Sequence, residues 1–290
     1  MPAPRFTHEV LLAILAWLTG ICFHDAASGQ DTGEPDAADR AYRAAVSYLH
    51  RELNDLAIEE YRKFLEVADA GHPQRPDARY GLAIAASRAE NLDLAIASLH
   101  ELNSINDYPR AVEARVLLGQ CLLKTRQYRE AATAFASASE LSKKHPLLES
   151  AGALSIEAVY LGGEYEKVAE DGIVYLKKYP ESRNQPRVAY FVADALLRLN
   201  KPEDAIKVAK RVLVSDGDHP LANAAQLVMA RAYRLRKDYR QAADAYEALA
   251  ARDIGALRED VLYELALVFA AQDEVEKAAG TLDELIGKVP

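Results

Sequence analysis

Leu117-Leu118-Gly119-Gln120-Cys121-Leu122-Leu123, followed by Arg126-Gln127-Tyr128 and then by Ala131, Phe135 and Ala138, is the stretch that decides the fold. Its small and large apolar residues are separated by steps of three and four, which mark one face of an α-helix and not the alternation of a strand. The break at Arg126-Gln127-Tyr128 interrupts the pattern once, so the stretch reads as two helices joined by a turn. With Ala131 as anchor, the register recurs along the chain at Ala57, Ala95, Ala131, Val168, Ala205, Ala242 and Ala278, with gaps of 38, 36, 37, 37, 37 and 36 residues. A period in this range belongs to stacked repeats, each of which buries its apolar face against its neighbours.

Every unit carries the same marks. Twelve residues before the anchor stand Ala45, Ala83, Gly119, Ala193, Ala230 and Ala266, with Ile156 the exception, and small residues let two helices approach closely. Nine before it stand Tyr48, Ala86, Leu122, Val159, Leu196, Tyr233 and Phe269; four after it, Tyr61, Leu99, Phe135, Gly172, Ala209, Tyr246 and Leu282. Most of these are large and fill the space between helices. Breaks also show at Gly162-Gly163-Glu164-Tyr165 and Asn200-Lys201-Pro202. The prolines beyond Pro35 are all expected between helices, because an interior one would cost about 3 kcal/mol.

This pattern resembles the tetratricopeptide repeat. The third unit (Leu118-Gly119, Leu122, Tyr128, Ala131, Phe135, Ala138) is the best copy, and the sixth follows with Ala230, Tyr233, Tyr239, Ala242 and Tyr246. Pro180 and Pro290 lie twelve after their anchors, where the family places its proline. The resemblance covers residues 38–290 and implies an all-α fold, an α-solenoid of about seven helix-turn-helix repeats forming a right-handed superhelix. The family's period is about 34 residues, so the units here, with their period of 36–38, are longer, mostly in the connection after the second helix. One such connection, Lys177-Lys178-Tyr179-Pro180-Glu181-Ser182, is similar to that of Tol-Pal-associated periplasmic coordinators and outer-membrane-assembly lipoproteins, which implies a bacterial cell envelope.

The amino terminus agrees with export. Arg5 precedes an apolar run over 11–23, and Ala26, Ala27, Ser28 and Gly29 follow, so residues 1–29 read as a signal peptide and 30–37 as a linker. Thirteen residues are too few for a comfortable span, although an uncleaved anchor is the alternative. A lipid-attachment site at Cys22 is disfavoured by Ile21, which stands where a small residue is needed. Removal of the signal leaves Cys121 alone, so no intramolecular disulfide forms and a buried hydrophobic role is expected for it. The expected location is periplasmic or secreted, with peripheral association with the envelope. The net charge of −9, with basic residues scattered among more numerous acids, argues against nucleic acid as a partner.

No signature of catalysis is visible. There is no phosphate loop, nucleophile elbow, paired-histidine metal motif or cysteine pair at ligand spacing. His72, His145 and His219 each precede a proline about two repeats from the next, too far apart to share one ion, and read as turns opening the following helix. The chain is expected to be a non-enzyme with no cofactor and no metal.

Binding is expected on the first helix of each unit, which lines the concave groove in the family the chain resembles. Fifteen before the anchor, Tyr42, Tyr80, Tyr190 and Tyr263 offer flat amphipathic area. Eleven before it, Gln120, Glu157, Asp194 and Arg231 make the middle of the array polar, and seven or eight before it stand Arg88, Lys124, Tyr160, Arg198 and Arg234. Glu157 and Asp194 are the only acids this register places on the inner face. No Asn occupies the stripe, so the paired Lys and Asn of chaperone-tail receptors are missing. These residues point to a non-enzymatic scaffold or adaptor of the envelope that binds a protein or peptide; a glycan or other small ligand in the periplasm is the alternative. The last helix, expected over 274–288, leaves Val275, Leu282, Leu285 and Ile286 uncovered, so the C-terminal repeat is expected to dock another chain or further repeats.

Overall fold

The computed structural model describes residues 36–103, 105, 107–215 and 221–287. The segment expected to be a signal peptide, nearly all of the expected linker, His219 with Pro220, and Pro290 lie outside them. Among the described residues the chain forms fourteen α-helices, one 3₁₀ turn and no strand. The helices pair as seven hairpins: α1 (Ala37–His50) with α2 (Asn54–Val67), α3 (Arg75–Arg88) with α4 (Leu92–Leu102), α5 (Ala111–Lys124) with α6 (Tyr128–Leu141), α7 (Leu148–Leu161) with α8 (Tyr165–Lys178), α9 (Gln185–Arg198) with α10 (Pro202–Ser215), α11 (Ala222–Leu235) with α12 (Tyr239–Ala250), and α13 (Arg258–Ala271) with α14 (Val275–Ile286). Two compact units contain them, the first ending at Tyr108 and the second beginning at Pro109. The first unit holds two hairpins and the second holds five.

The anchor register is the register of the fold. Every first helix starts twenty residues before its anchor and ends seven before it, and every second helix starts three before it. All seven anchors are buried. The turn inside each hairpin also repeats. Five residues before the anchor, Glu52, Glu90, Arg126, Gly163, Asn200, Lys237 and Asp273 all take a left-handed φ between 58° and 79°. The N–H of the next residue then reaches back to the carbonyl nine before the anchor, as Leu53 to Tyr48, Gln127 to Leu122 and Glu274 to Phe269. This six-to-one closure satisfies carbonyls that the end of a helix leaves open.

Connections between hairpins are closed by side chains. The N–H of Gln74 donates to His72 Nδ1 at 3.3 Å, and that of Leu147 to His145 Nδ1 at 3.3 Å. In the Tyr-Pro connection the N–H of Asn184 donates in the same way to Ser182 Oγ at 3.0 Å. His-Pro therefore opens the next helix at both described sites. Prolines depart from expectation at three places: Pro76 and Pro186 lie in the first turns of α3 and α9, and Pro202 is the first residue of α10. A helix start tolerates proline because its N–H has no helical partner there.

In unit 2 each second helix packs on its own first helix and on the first helix of the next hairpin, while α5, α7, α9 and α11 also touch in succession. This is solenoid stacking, and it sets the first helices side by side in one row. On the last hairpin Val275 and Ile286 are 68% exposed and Leu282 is exposed too. Leu282 holds the register position at which Tyr61, Leu99, Phe135 and Tyr246 are fully buried.

Candidate functional site

The row of first helices in unit 2 gathers most of the polar residues expected on a groove, but at a different depth. Asp194 on α9 is buried, and its Oδ2 accepts from Tyr160 Oη on α7 at 2.6 Å and from Arg198 Nε one turn along at 2.5 Å. Asp194 and Arg198 are four residues apart on one helix, the spacing that sets opposite charges face to face. Glu157 on α7 is also buried and pairs with Arg187 on α9. On the far side Glu264 of α13 accepts from Arg231 Nε at 2.7 Å and from Tyr246 Oη at 2.5 Å, with Arg234 Nη2 at 3.6 Å. Three carboxylates thus bind four guanidiniums and two phenols.

Rings fill the space between these pairs. Tyr160 packs on Phe191 at 4.7 Å and edge-on to Tyr165 at 5.9 Å; Tyr190 lies 5.6 Å from Phe191. The Arg198 guanidinium sits 5.0 Å above Tyr165, a cation–π distance. The charge states follow. The hydrogen bond that Arg198 donates to Asp194 raises the Arg198 pKa, and burial, then the Asp194 charge, raises that of Tyr160. Burial pushes Tyr190 up to about 12, with Asp194 adding to it, and lowers Arg187 to about 10. For Arg231 burial pulls downward, but the hydrogen bond and charge of Glu264 outweigh it and the net shift is upward. The shifted tyrosines therefore stay neutral and the shifted arginines stay charged at neutral pH.

The cluster brings together Glu157, Tyr160, Tyr190, Asp194, Arg198, Arg231 and Arg234. It does not include the other four expected residues. Tyr80 belongs to unit 1, where it is buried and packs on Tyr108 at 6.2 Å, so it is a core residue and not a surface one; Arg88 ends α3 in the same unit. Gln120, on α5, is buried with neither amide atom hydrogen-bonded, and Lys124 ends that helix half-buried. The two acids expected on the inner face, Glu157 and Asp194, are buried, and the partly buried Glu264 is a third acid of the cluster. Glu264 lies three residues before Leu267, which stands eleven before its anchor Ala278 on the same helical face, so its inclusion was available from spacing alone. Arg187 had no such signal, because its partner is thirty residues away on another helix.

Each of these three acids accepts from arginine or tyrosine. Among the described residues no group of His, Cys, Asp and Glu could hold a metal ion, and no helix is long and apolar enough to cross a membrane. What reaches the surface is the outer part of the cluster. The Arg198 and Arg234 side chains are 46% and 42% exposed and Tyr190 is half-buried. Carboxylates beneath fix both guanidiniums, so recognition needs little further ordering of side chains.

The sequence pattern of the tetratricopeptide repeat matches residues 100–146, 193–256 and 227–290, together half of the chain. No curated protein matches in sequence. Among solved structures the chain is similar to the C-terminal part of a TPR repeat-containing protein from Cytophaga hutchinsonii, at 21% identity and a TM-score of 0.62 over 85% of this chain and 94% of that one. It is also similar to a tetratricopeptide repeat protein from Parabacteroides merdae (11% identity, TM-score 0.55, 87% and 93% covered) and to pilF of Pseudomonas aeruginosa (21% identity, TM-score 0.51, 77% and 94% covered). At these identities the likeness concerns the fold. With that pattern matched over half its length and one hairpin repeated seven times, the chain belongs to the tetratricopeptide repeat family, whose members generally act as non-catalytic scaffolds for protein–protein interaction.

Proposed function

We propose that the chain is an exported scaffold or adaptor of the cell envelope that binds a peptide segment of a protein partner along the first-helix row of unit 2. The observation that carries this reading is the Tyr160–Asp194–Arg198 network, in which a buried acid holds an exposed guanidinium beside the half-buried Tyr190. Prearranged Arg and Tyr are the residues that dominate protein interfaces when they are backed by buried neighbours. Carboxylates and backbone carbonyls of the partner would meet Arg198 and Arg234, and its apolar side chains would meet Tyr190.

The test spares Arg231, whose guanidinium is tied to Glu264. Arg198→Gln combined with Arg234→Gln is expected to weaken the partner recovered from envelope extracts by about tenfold or more, with unchanged circular dichroism. Undiminished affinity places binding elsewhere, and retention of the chain on purified cell wall free of protein favours a glycan ligand. Export rests on residues 1–29. Sequencing the native protein is expected to find its first residue near position 30, and a cytosolic species retaining Met1 removes the envelope from the proposal.

A further inference from the structure

We infer that unit 2 carries a second binding site, at the turn of its fourth hairpin, which takes an acidic segment of a partner protein. The inference does not depend on the function proposed for the first-helix row. The turn between α11 and α12 walls an open cavity of about 820 Å³ whose far sides are formed by α10 and by the end of α13. Four cations line it, Lys210, Arg236, Lys237 and Arg240, against a single acid, Asp238. Arg236 is held in place by Glu203 at 3.3 Å and Asp238 at 3.2 Å. Lys210, Lys237 and Arg240 are exposed and form no ion pair with any described residue. In a chain of net charge −9 this is a local reversal of sign.

Comparison with the other hairpins shows that folding does not require the reversal. The left-handed turn position occupied by Lys237 carries Glu52, Glu90 and Asp273 elsewhere, and the position of Arg240 carries Asp55, Asp93, Glu166, Glu203 and Glu276; only the α5–α6 hairpin also has cations at both, Arg126 and Arg129, and there Glu130 follows in the first turn of the helix and Glu164 pairs with Arg129. Acids at the latter position lie in the first turn of a second helix, where the helix dipole favours them. Of the seven second helices α12 alone has no acid in its first turn, and the Asp238 side chain does not cap it. Cations at this place therefore work against local electrostatics. A ligand that brings its own negative charge resolves the conflict, since it meets the three free cations and the open N–H groups of α12 together. The cations come from α10, the turn and α12, around an open wall, which suits a run of carboxylates on an extended segment better than one small anion. Tyr233 and Tyr239 border the cavity and supply flat area for the backbone of such a segment.

The variant Lys237→Glu with Arg240→Glu installs residues that the chain itself carries at these positions in other hairpins, so it is expected to fold and melt as the parent does. Binding of a fluorescein-labelled oligoglutamate peptide to the full chain is followed by anisotropy at low salt. The parent is expected to bind saturably, the variant about tenfold or more weakly, and both progressively less as salt is added. Arg198→Gln with Arg234→Gln is expected to bind the peptide as the parent does, which separates this site from the first-helix row. Equal binding by parent and charge-reversed variant, equal binding of an oligoglutamine control, or no saturable binding overturns the inference.

Discussion

Glu157→Ala is expected to destabilise unit 2 by about 3–5 kcal/mol, because it strands a buried guanidinium. The Arg187 and Glu157 side chains are 12% and 8% exposed, and Arg187 Nη1 has no hydrogen-bond partner even in the intact pair. Burial alone pulls the Arg187 pKa down to about 10. Removing Glu157 leaves that desolvation cost with nothing to offset it. A shift of roughly 2–4 °C per kcal/mol makes the loss plain in a thermal melt. The converse change separates burial from packing: Glu157→Met with Arg187→Met replaces the pair by apolar volume and is expected to be neutral or stabilising by about 1–4 kcal/mol. Hydrogen exchange locates the effect. Neighbour-limited stability in a repeat array confines lost protection to α7–α10 and leaves α13 and α14 protected. A single variant as stable as its parent would show that the pair is solvated and contributes little.

The fold was legible because, within each compact unit, the residues at the repeated spacing lie where neighbouring helices pack. Anchors such as Ala131 and Ala242 are fully buried, and so is Tyr246 at its repeat position, so sequence period and structural period coincide. Hairpin turns were harder to see. Six of the seven left-handed positions are not glycine, and Glu52 or Lys237 gives no local sign that its φ is positive. The site was legible in part. Spacing put Asp194, Arg198 and Tyr160 on one row, and they do meet. Their burial could not be read from spacing, since Glu157 is covered by Arg187 from another helix and Asp194 by a phenol thirty-four residues away. Tyr80 shows the opposite case, where a tyrosine expected to face a ligand is covered by Tyr108 of its own unit. Periodicity tells which face of a helix a residue occupies, and only the neighbouring repeats decide whether that face is surface.

The second large effect is expected from Gly119→Leu, which probes the close helix crossing that this face depends on. A Cβ built at Gly119 would lie 2.7 Å from Phe135 Cε1 and 2.8 Å from Cδ1 and Cζ. Real Cβ atoms do not approach a ring so closely, so even alanine forces Phe135 to move, and leucine adds three further carbons in the same direction. Phe135 is 1% exposed and has no open side to retreat into. Overpacking of this kind costs typically about 1–3 kcal/mol, and more where the surroundings cannot relax. The loss of hydrogen-exchange protection is expected in α5 and α6, the hairpin that Gly119 and Phe135 join. Gly280→Ala on α14 is the control. A Cβ there meets no atom within 4 Å, and alanine in a helix interior is expected to stabilise by about 0.5–1 kcal/mol. A rescue isolates the mechanism: if the crossing is the cause, Gly119→Ala with Phe135→Leu recovers much of the stability that Gly119→Ala alone loses, because the shortened side chain vacates the volume the new methyl needs. Equal melts for Gly119→Leu and its parent would mean that α5 and α6 do not cross at Gly119, and the register of the third hairpin would have to be redrawn.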